Sequence, residues 1–172
     1  LEKSATRFNQ IDPEKEGEQA LIGSFPGYNF DQMQGGITYT IDISKPEGER
    51  IANLRYKGKP VKPGQPFIVV TNNYRASGGG GFPGMDDANI VLSAPDGNRE
   101  VVIHWVEAKK KLTRKDVDKR SWTFAPLKTK GAVTFTSASG KEDVAKSLGL
   151  PIRQLRDNGD GTAVYSIDLS KR

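Results

Sequence analysis

The sequence predicts an α+β fold, on three observations. Several short segments alternate apolar and polar residues with the period of a strand. Ten prolines and nineteen glycines are spread over many such segments, a pattern of strands and turns more than of a helical bundle. Segments after Asp96 and after Ser139 switch to helical spacing. With 172 residues, 35% hydrophobic and 27% charged, the chain has the length and composition of one domain with a modest core. No internal repeat, linker or low-complexity segment is visible, so residues 1–172 read as one unit.

Leu1, Ala5 and Phe8 fall at helical spacing with no capping residue ahead of them, as though the chain enters in mid-helix and the domain is incomplete. Asn9 to Gly27 reads as a polar loop rich in turn formers. In "GITYTIDIS", Ile37, Tyr39, Ile41 and Ile43 alternate with Thr38, Thr40 and Asp42, as in a half-buried strand. "RIANLRYKGKPV" places Ile51, Asn53 and Arg55 on one face and Ala52, Leu54 and Tyr56 on the other, with a turn over Lys57 to Pro60. "QPFIVVTNN" has the near-continuous apolar run of a sheet interior, and three consecutive strands imply a meander. From Asp96, Val102, Trp105 and Val106 share one helical face, with Asn98 as the expected N-cap. "SWTFAP" and "GAVTFTSA" return to strand spacing. "SGKEDVAKSLGLP" reads as a helix opened by a serine cap and closed by Gly149 and Pro151. A last hairpin joins Arg153–Arg156 to Ala163–Leu169 through "DNGDG", whose residues tolerate positive φ.

Composition removes several chemistries. Without cysteine there are no disulfides, thiolate catalysis or sulfur-ligated zinc. A dinuclear hydrolytic centre or a Ser/His/Asp arrangement cannot be assembled around one histidine. That residue, His104, has Ala108 one turn ahead and only Glu100 one turn behind, so it reads as structural or surface-exposed. "DNGDGT" lacks the bidentate glutamate of a calcium loop and reads as a turn. The net charge of +5 gathers in "EAKKKLTRKDVDKR", Glu107 to Arg120. The same run holds Glu107, Asp116 and Asp118 and no interleaved aromatics, so it reads as a solvated helix end against the alternative of a nucleic-acid footprint. No window has the apolar length that spans a bilayer, and "LEKSATRFNQ" lacks the apolar centre of a signal peptide.

Binding is the remaining direction. "VTNNYRASGGGGFPG", Val70 to Gly84, carries four consecutive glycines, which let a main chain approach a ligand closely and turn successive N–H groups toward one acceptor. It lacks the lysine and hydroxyl residue of a P-loop, and a plain flexible loop is the competing reading. Tyr74 sets it apart, since a tyrosine on the rim offers a flat face for a planar ligand such as a nucleobase. Asn72 and Asn73 add donors and acceptors. The alternative buries Tyr74 in the core and leaves the asparagines to cap a strand end.

The segments "LEKSATRFNQID", "YNFD", "GITYTIDIS", "RIANLRYKGKPV", "FIVVTNNYRASGGG" and "AVYSIDLS" together resemble the C-terminal domain of bacterial 2',3'-cyclic-nucleotide 2'-phosphodiesterases/3'-nucleotidases, within the 5'-nucleotidase superfamily. "YNFD" and "TNNYRA" in that order are the most specific part of the likeness. The resemblance implies a layered α/β/β/α sandwich entered after its first elements. It implies a nucleotide-recognition fragment of a larger exported, extracytoplasmic two-domain hydrolase. A metallophosphoesterase domain with two divalent metal ions would precede it, and this fragment would hold no cofactor and be inactive alone. Nucleosides and 2',3'-cyclic or 3'-nucleotides are the implied ligands, with no nucleic-acid polymer and no membrane insertion.

Carried over by residue, the resemblance makes Tyr74 an aromatic clamp on the base, its partner ring lying upstream of Leu1, and Asn72, Asn73, Gly78, Gly79 and Gly80 its surroundings. Related 5'-nucleotidases carry an acidic residue where this chain has Gly80, a departure that favours the cyclic-phosphodiesterase branch. Tyr28, Asn29 and Asp31 of "YNFD" are the implied lining near the base edge, against a reading as a simple turn with Phe30 tucked inward. A stand-alone extracellular binding or adhesion module of the same fold is the second reading of the whole chain.

Overall fold

The computed structural model describes residues 1–117 and 120–171. Asp118 and Lys119 of the basic run therefore lie outside the described residues, as does Arg172. In chain order the elements are α1 (Glu2–Ala5), β1 (Gln19–Ala20), β2 (Ile37–Ile41), β3 (Ile51–Tyr56), β4 (Lys59–Pro60), α2 (Asn73–Ala76), α3 (Asn98–Lys109), α4 (Arg114–Val117), β5 (Trp122–Phe124), β6 (Val133–Ala138), α5 (Glu142–Ser147), β7 (Ile152–Asp157) and β8 (Thr162–Ile167). Short 3-10 turns cover Gly27–Asn29 and Asp87–Asn89. The chain divides into two compact units, Leu1–Pro60 with Ser121–Arg172, and Val61–Arg120. Among the described residues no helix is long and apolar enough to cross a membrane.

The first unit holds both sheets, ordered β1-β6-β8-β7 and β4-β3-β2-β5. β1 runs parallel to β6 and β2 parallel to β5, while the remaining pairs are antiparallel. Alternation along β2 sends Tyr39 and Ile41 into the same core that Val133 of β6 enters, joined by Ala5, Phe8, Ile11, Leu21, Ile43 and Leu169. Two sheets thus close on one apolar interior, with α1 supplying Ala5 to it and α5 lying along β7, where Glu142 accepts the Gln154 N–H at 2.8 Å. The α+β class read from the sequence is observed, as two small sheets with few helices, consistent with the layered sandwich that the resemblance implies.

Several local expectations are corrected. The first helix ends at Ala5, and Phe8, three residues on, leaves helical spacing to form an antiparallel bridge with Ile22. Strict alternation fails along β3. Thr40 faces Ala52 and Thr38 faces Arg55, so Asn53 and Leu54 together oppose Tyr39, and Asn53 takes φ +53°. This bulge brings both Ile51 and Leu54 onto the core, and asparagine tolerates the left-handed conformation better than most side chains. The loop over Asn9 to Gly27 hides β1, whose main chain bonds to β6 through Gln19 N–H to Ala132 O and Leu21 N–H to Thr134 O.

At α5 the expected serine cap is absent. Ser139 Oγ donates instead to Asp157 at 2.6 Å, which with the Gly159 N–H holds the Asp157 carboxyl below its ordinary range. The N-cap is Lys141, whose N–H donates to the buried Tyr165 hydroxyl at 3.0 Å while that hydroxyl donates to Ala138 O at 2.7 Å. The terminal hairpin forms as expected, with Gly159 and Gly161 at φ +79° and +84°.

The second unit departs furthest from the sequence pattern. Among its described residues there is no β-strand, so "QPFIVVTNN" is not the third strand of a meander. β2 and β3 have β5 and β4 as their outer neighbours, and Ile68 and Val70 are 82% and 95% exposed. An apolar run records what a segment can bury, and here no strand ladder takes it up. The helix after Asp96 forms, but its N-cap is Gly97, whose N–H donates to the Glu100 carboxylate at 2.7 Å; Asn98 is its first residue. Val102, Trp105 and Val106 are exposed rather than core-facing. Lys109, Lys110 and Lys111 form an exposed helix end, where Lys109 pairs with Asp116 at 2.8 Å. That ammonium, with the Thr113 hydroxyl and N–H, lowers the Asp116 carboxyl to about 2.

One buried cation ties α1 to the sheets. Arg50 is 2% exposed, and its guanidinium donates to Ala5 O at 2.9 Å, Phe8 O at 2.7 Å and Lys45 O at 3.0 Å. In return the Glu2 carboxylate accepts the N–H groups of Arg50 and Ile51 at 3.1 and 2.8 Å. Hydrogen bonds to a charged group contribute about 1.5–3 kcal/mol each, and a partner left alone in the interior is costly. We expect Arg50→Met to lower stability by about 3 kcal/mol or more in urea unfolding. A loss below about 0.5 kcal/mol would show that the clamp is incidental.

Candidate functional site

The ribbon from Val70 to Gly84 is built around one turn of helix. Asn72 opens α2, its Oδ1 accepting the Arg75 N–H at 2.8 Å. The chain then turns back: Ser77 N–H donates to Asn73 O, Gly78 N–H to Arg75 O and Gly79 N–H to Tyr74 O at 2.8 Å. Gly78 and Gly80 sit at φ +90° and +83°, a conformation that disfavours any side chain. Gly79 is required for a different reason. A Cβ there would lie 2.4 Å from the Tyr74 carbonyl oxygen and 2.5 Å from its Cε1. Within the chain, Gly79 therefore makes room for the Tyr74 backbone and ring.

Tyr74 is 61% exposed, so the reading that buries it in a core does not hold. Asn72 and Asn73 are also exposed, and Asn72 caps a helix rather than a strand end. Arg75 is the residue the sequence reading passed over. It is 7% exposed, its Nη1 donates to Gly79 O at 3.0 Å, and its guanidinium lies 5.4 Å from the Tyr74 ring centroid and 4.9 Å from that of Phe82. The clue available in the sequence is its place between an Asx cap and a glycine run, where its long side chain can reach back to carbonyls of the turn.

The second expected group, Tyr28, Asn29 and Asp31, belongs to the first unit. The turn reading of "YNFD", with Phe30 tucked inward, holds there. Phe30 turns inward, its ring 5.4 Å from Phe8 and 5.3 Å from Trp122, while Tyr28 on the same 3-10 turn is 80% exposed. The loop is pinned to α1 through Ser4, whose hydroxyl donates to Asp31 O at 2.7 Å and accepts the Asp31 N–H at 3.1 Å. The structure thus groups Asn72, Asn73, Tyr74 and Gly78 to Gly80 in one turn, and Tyr28, Asn29 and Asp31 in another loop.

Among the described residues no three His, Asp or Glu side chains come together to hold an ion. His104 is exposed on α3, and the Glu100 carboxylate one turn before it accepts the Gly97 N–H. What the ribbon can offer is a flat, exposed ring on a turn whose backbone is fixed by its own hydrogen bonds.

A profile of the 5'-nucleotidase, C-terminal domain, matches residues 3–87, a span that contains both loops. The chain belongs to the 5'-nucleotidase C-terminal domain family. It is 38% identical over 192 residues to a 2',3'-cyclic-nucleotide 2'-phosphodiesterase/3'-nucleotidase of Salmonella typhimurium, an alignment covering 99% of this chain and 29% of that protein. A protein of the same description from Haemophilus influenzae is 36% identical over 193 residues, again covering 99% and 29%. A trifunctional nucleotide phosphoesterase protein of Bacillus subtilis is 44% identical over 140 residues, 74% of this chain and 9% of that protein. The chain therefore spans less than a third of the length of these curated relatives. No solved structure matches it.

In this C-terminal domain the contact between Gly79 and Tyr74 has a direct test. A methyl group at Gly79 must displace backbone as well as ring, which costs about 1–3 kcal/mol where nothing can yield. We expect Gly79→Ala to speed hydrogen exchange of the residue 79 amide by about tenfold or more, while the exposed Ser77→Ala leaves it unchanged. Unaltered exchange in Gly79→Ala would mean the turn accommodates a side chain.

Proposed function

We propose that this chain is the nucleoside-recognising part of an exported phosphoesterase acting on 2',3'-cyclic nucleotides and 3'-nucleotides, with Tyr74 as the face on which the base stacks. The observation that carries the reading is the exposed Tyr74 ring, braced by Gly79 and Arg75 rather than sunk in a core. A ring held by the hydrogen bonds and cation–π contact of its own turn loses less conformational entropy when a planar ligand docks. Base stacking then contributes about 1–3 kcal/mol, largely independent of the ring's hydroxyl. The relatives, all nucleotide phosphoesterases by name, support the substrate class.

In this reading the chain supplies positioning, and bond cleavage belongs to residues outside it. The chain has one histidine, and among the described residues no three His, Asp or Glu side chains gather, so a dinuclear hydrolytic centre in this reading lies elsewhere in the polypeptide. The two divalent ions implied by the family would be held by another part of the polypeptide and would supply the nucleophile and charge stabilisation there. Holding the nucleoside in register with such a centre turns a collision into an oriented encounter, which is the proximity contribution to catalysis. Gly80, which leaves the ribose side of the ribbon without a carboxylate, suits a substrate whose 2' and 3' oxygens carry the phosphate.

The test uses the intact protein that carries this chain and 2',3'-cyclic AMP as substrate. We expect Tyr74→Ala to raise KM by about 5- to 150-fold, equivalent to about 1–3 kcal/mol, and Tyr74→Phe to change it less than about threefold. A folded Tyr74→Ala protein with unchanged KM would place the base elsewhere.

A further inference from the structure

We propose that Arg75 is a positioning residue for nucleoside binding, acting through Tyr74: it locks the glycine turn against the tyrosine and so fixes the stacking face before the ligand arrives. The proposal deepens the reading of Tyr74 as the stacking face and rests on it.

Arg75 is a charged side chain with 7% exposure in a unit where most apolar side chains are exposed. Burying a guanidinium is costly unless its donors and flat faces are used, so a side chain kept in that position marks a constraint on its neighbours. Its backbone N–H closes the Asn72 cap at 2.8 Å, and its Nη1 closes the far end of the turn on Gly79 O at 3.0 Å. One residue thereby ties the start of α2 to the glycine that touches the Tyr74 ring. Gly79 N–H donates to Tyr74 O at 2.8 Å, so Gly79 is held through both its N–H and its carbonyl, by Tyr74 and by Arg75.

The same guanidinium lies over the Tyr74 ring at 5.4 Å and over Phe82 at 4.9 Å. These cation–π contacts restrict the ring on the side that faces the turn, yet Tyr74 keeps 61% of its surface open. Phe82 brings the segment after the four glycines back to the same cation. Glycines at positive φ give the ribbon its shape but also its freedom, and Arg75 is the group that removes that freedom. Without it, Tyr74 would be ordered on binding instead of beforehand, and affinity would fall although the stacking surface is intact.

A double-mutant cycle on the intact protein, read as KM and kcat for 2',3'-cyclic AMP, separates this role from a general loss of structure. We expect Arg75→Met to raise KM by about tenfold with kcat unchanged, and Arg75→Lys, which can still donate to Gly79 O, to recover part of that loss. In a Tyr74→Ala background, Arg75→Met should change KM by less than about twofold, because the surface it positions is gone. Equal effects in both backgrounds, or no effect of Arg75→Met on the otherwise native protein, would overturn the proposal while leaving Tyr74 as the stacking face. Should Arg75→Met fail to fold, the Arg75→Lys cycle decides between the same outcomes. If Tyr74→Ala alone leaves KM unchanged, the stacking reading fails and this inference falls with it.

Discussion

The buried guanidinium of Arg50 is the constraint on which the first unit depends. A helix as short as α1 has almost no stability of its own, since its few hydrogen bonds do not offset the cost of ordering the backbone. Arg50 reaches the carbonyl of the helix's last residue, Ala5, and that of Phe8 beyond it, and Glu2 accepts the N–H groups of Arg50 and Ile51 at the start of β3. With α1 fixed, Ala5 and Phe8 meet the core, and Ser4 is placed to hold the loop that presents Tyr28. A charge in the interior would ordinarily be a penalty. Here it satisfies carbonyls that no regular ladder reaches, so its removal would leave several polar groups stranded together.

A second arginine repeats this logic on a smaller scale. Arg75 lies in the second unit, which has no strand among its described residues, and it meets an Asx-capped turn, a glycine carbonyl and two rings. Both arginines serve as junctions where segments too irregular for secondary structure exchange backbone hydrogen bonds. The contrast is in what they order: Arg50 fixes an apolar interior, whereas Arg75 fixes a face turned to solvent. A ring kept exposed on a preordered turn is a poor use of apolar surface for stability and a good one for recognition.

The strands of the first unit were legible because one face of each is buried and period-2 alternation records it, as along Ile37, Tyr39 and Ile41 or in the hairpin around Gly159 and Gly161. β1 escaped notice because Gln19 and Ala20 pair through main-chain atoms, which side-chain pattern cannot signal. Asn53 and the bulge beside it reverse a face after two residues, and nothing in "IANLRY" announces where the reversal occurs. The run Phe67 to Val70 misled for the opposite reason, because apolar composition was present without a ladder. At the candidate site, Tyr74 and the glycines stood out as residue types suited to binding. The roles of Gly79 and Arg75 did not, since they arise from how the chain folds back upon itself.

The central claim, that a nucleoside stacks on Tyr74, is tested most directly by NMR of the intact protein with tyrosine ring labels, assigning Tyr74 by its disappearance in Tyr74→Phe. Saturating adenosine should shift the Tyr74 ring protons upfield by the ring current of a stacked base and leave the buried Tyr39 and Tyr165 signals in place. Binding that saturates while the Tyr74 resonances stay unmoved would contradict the account.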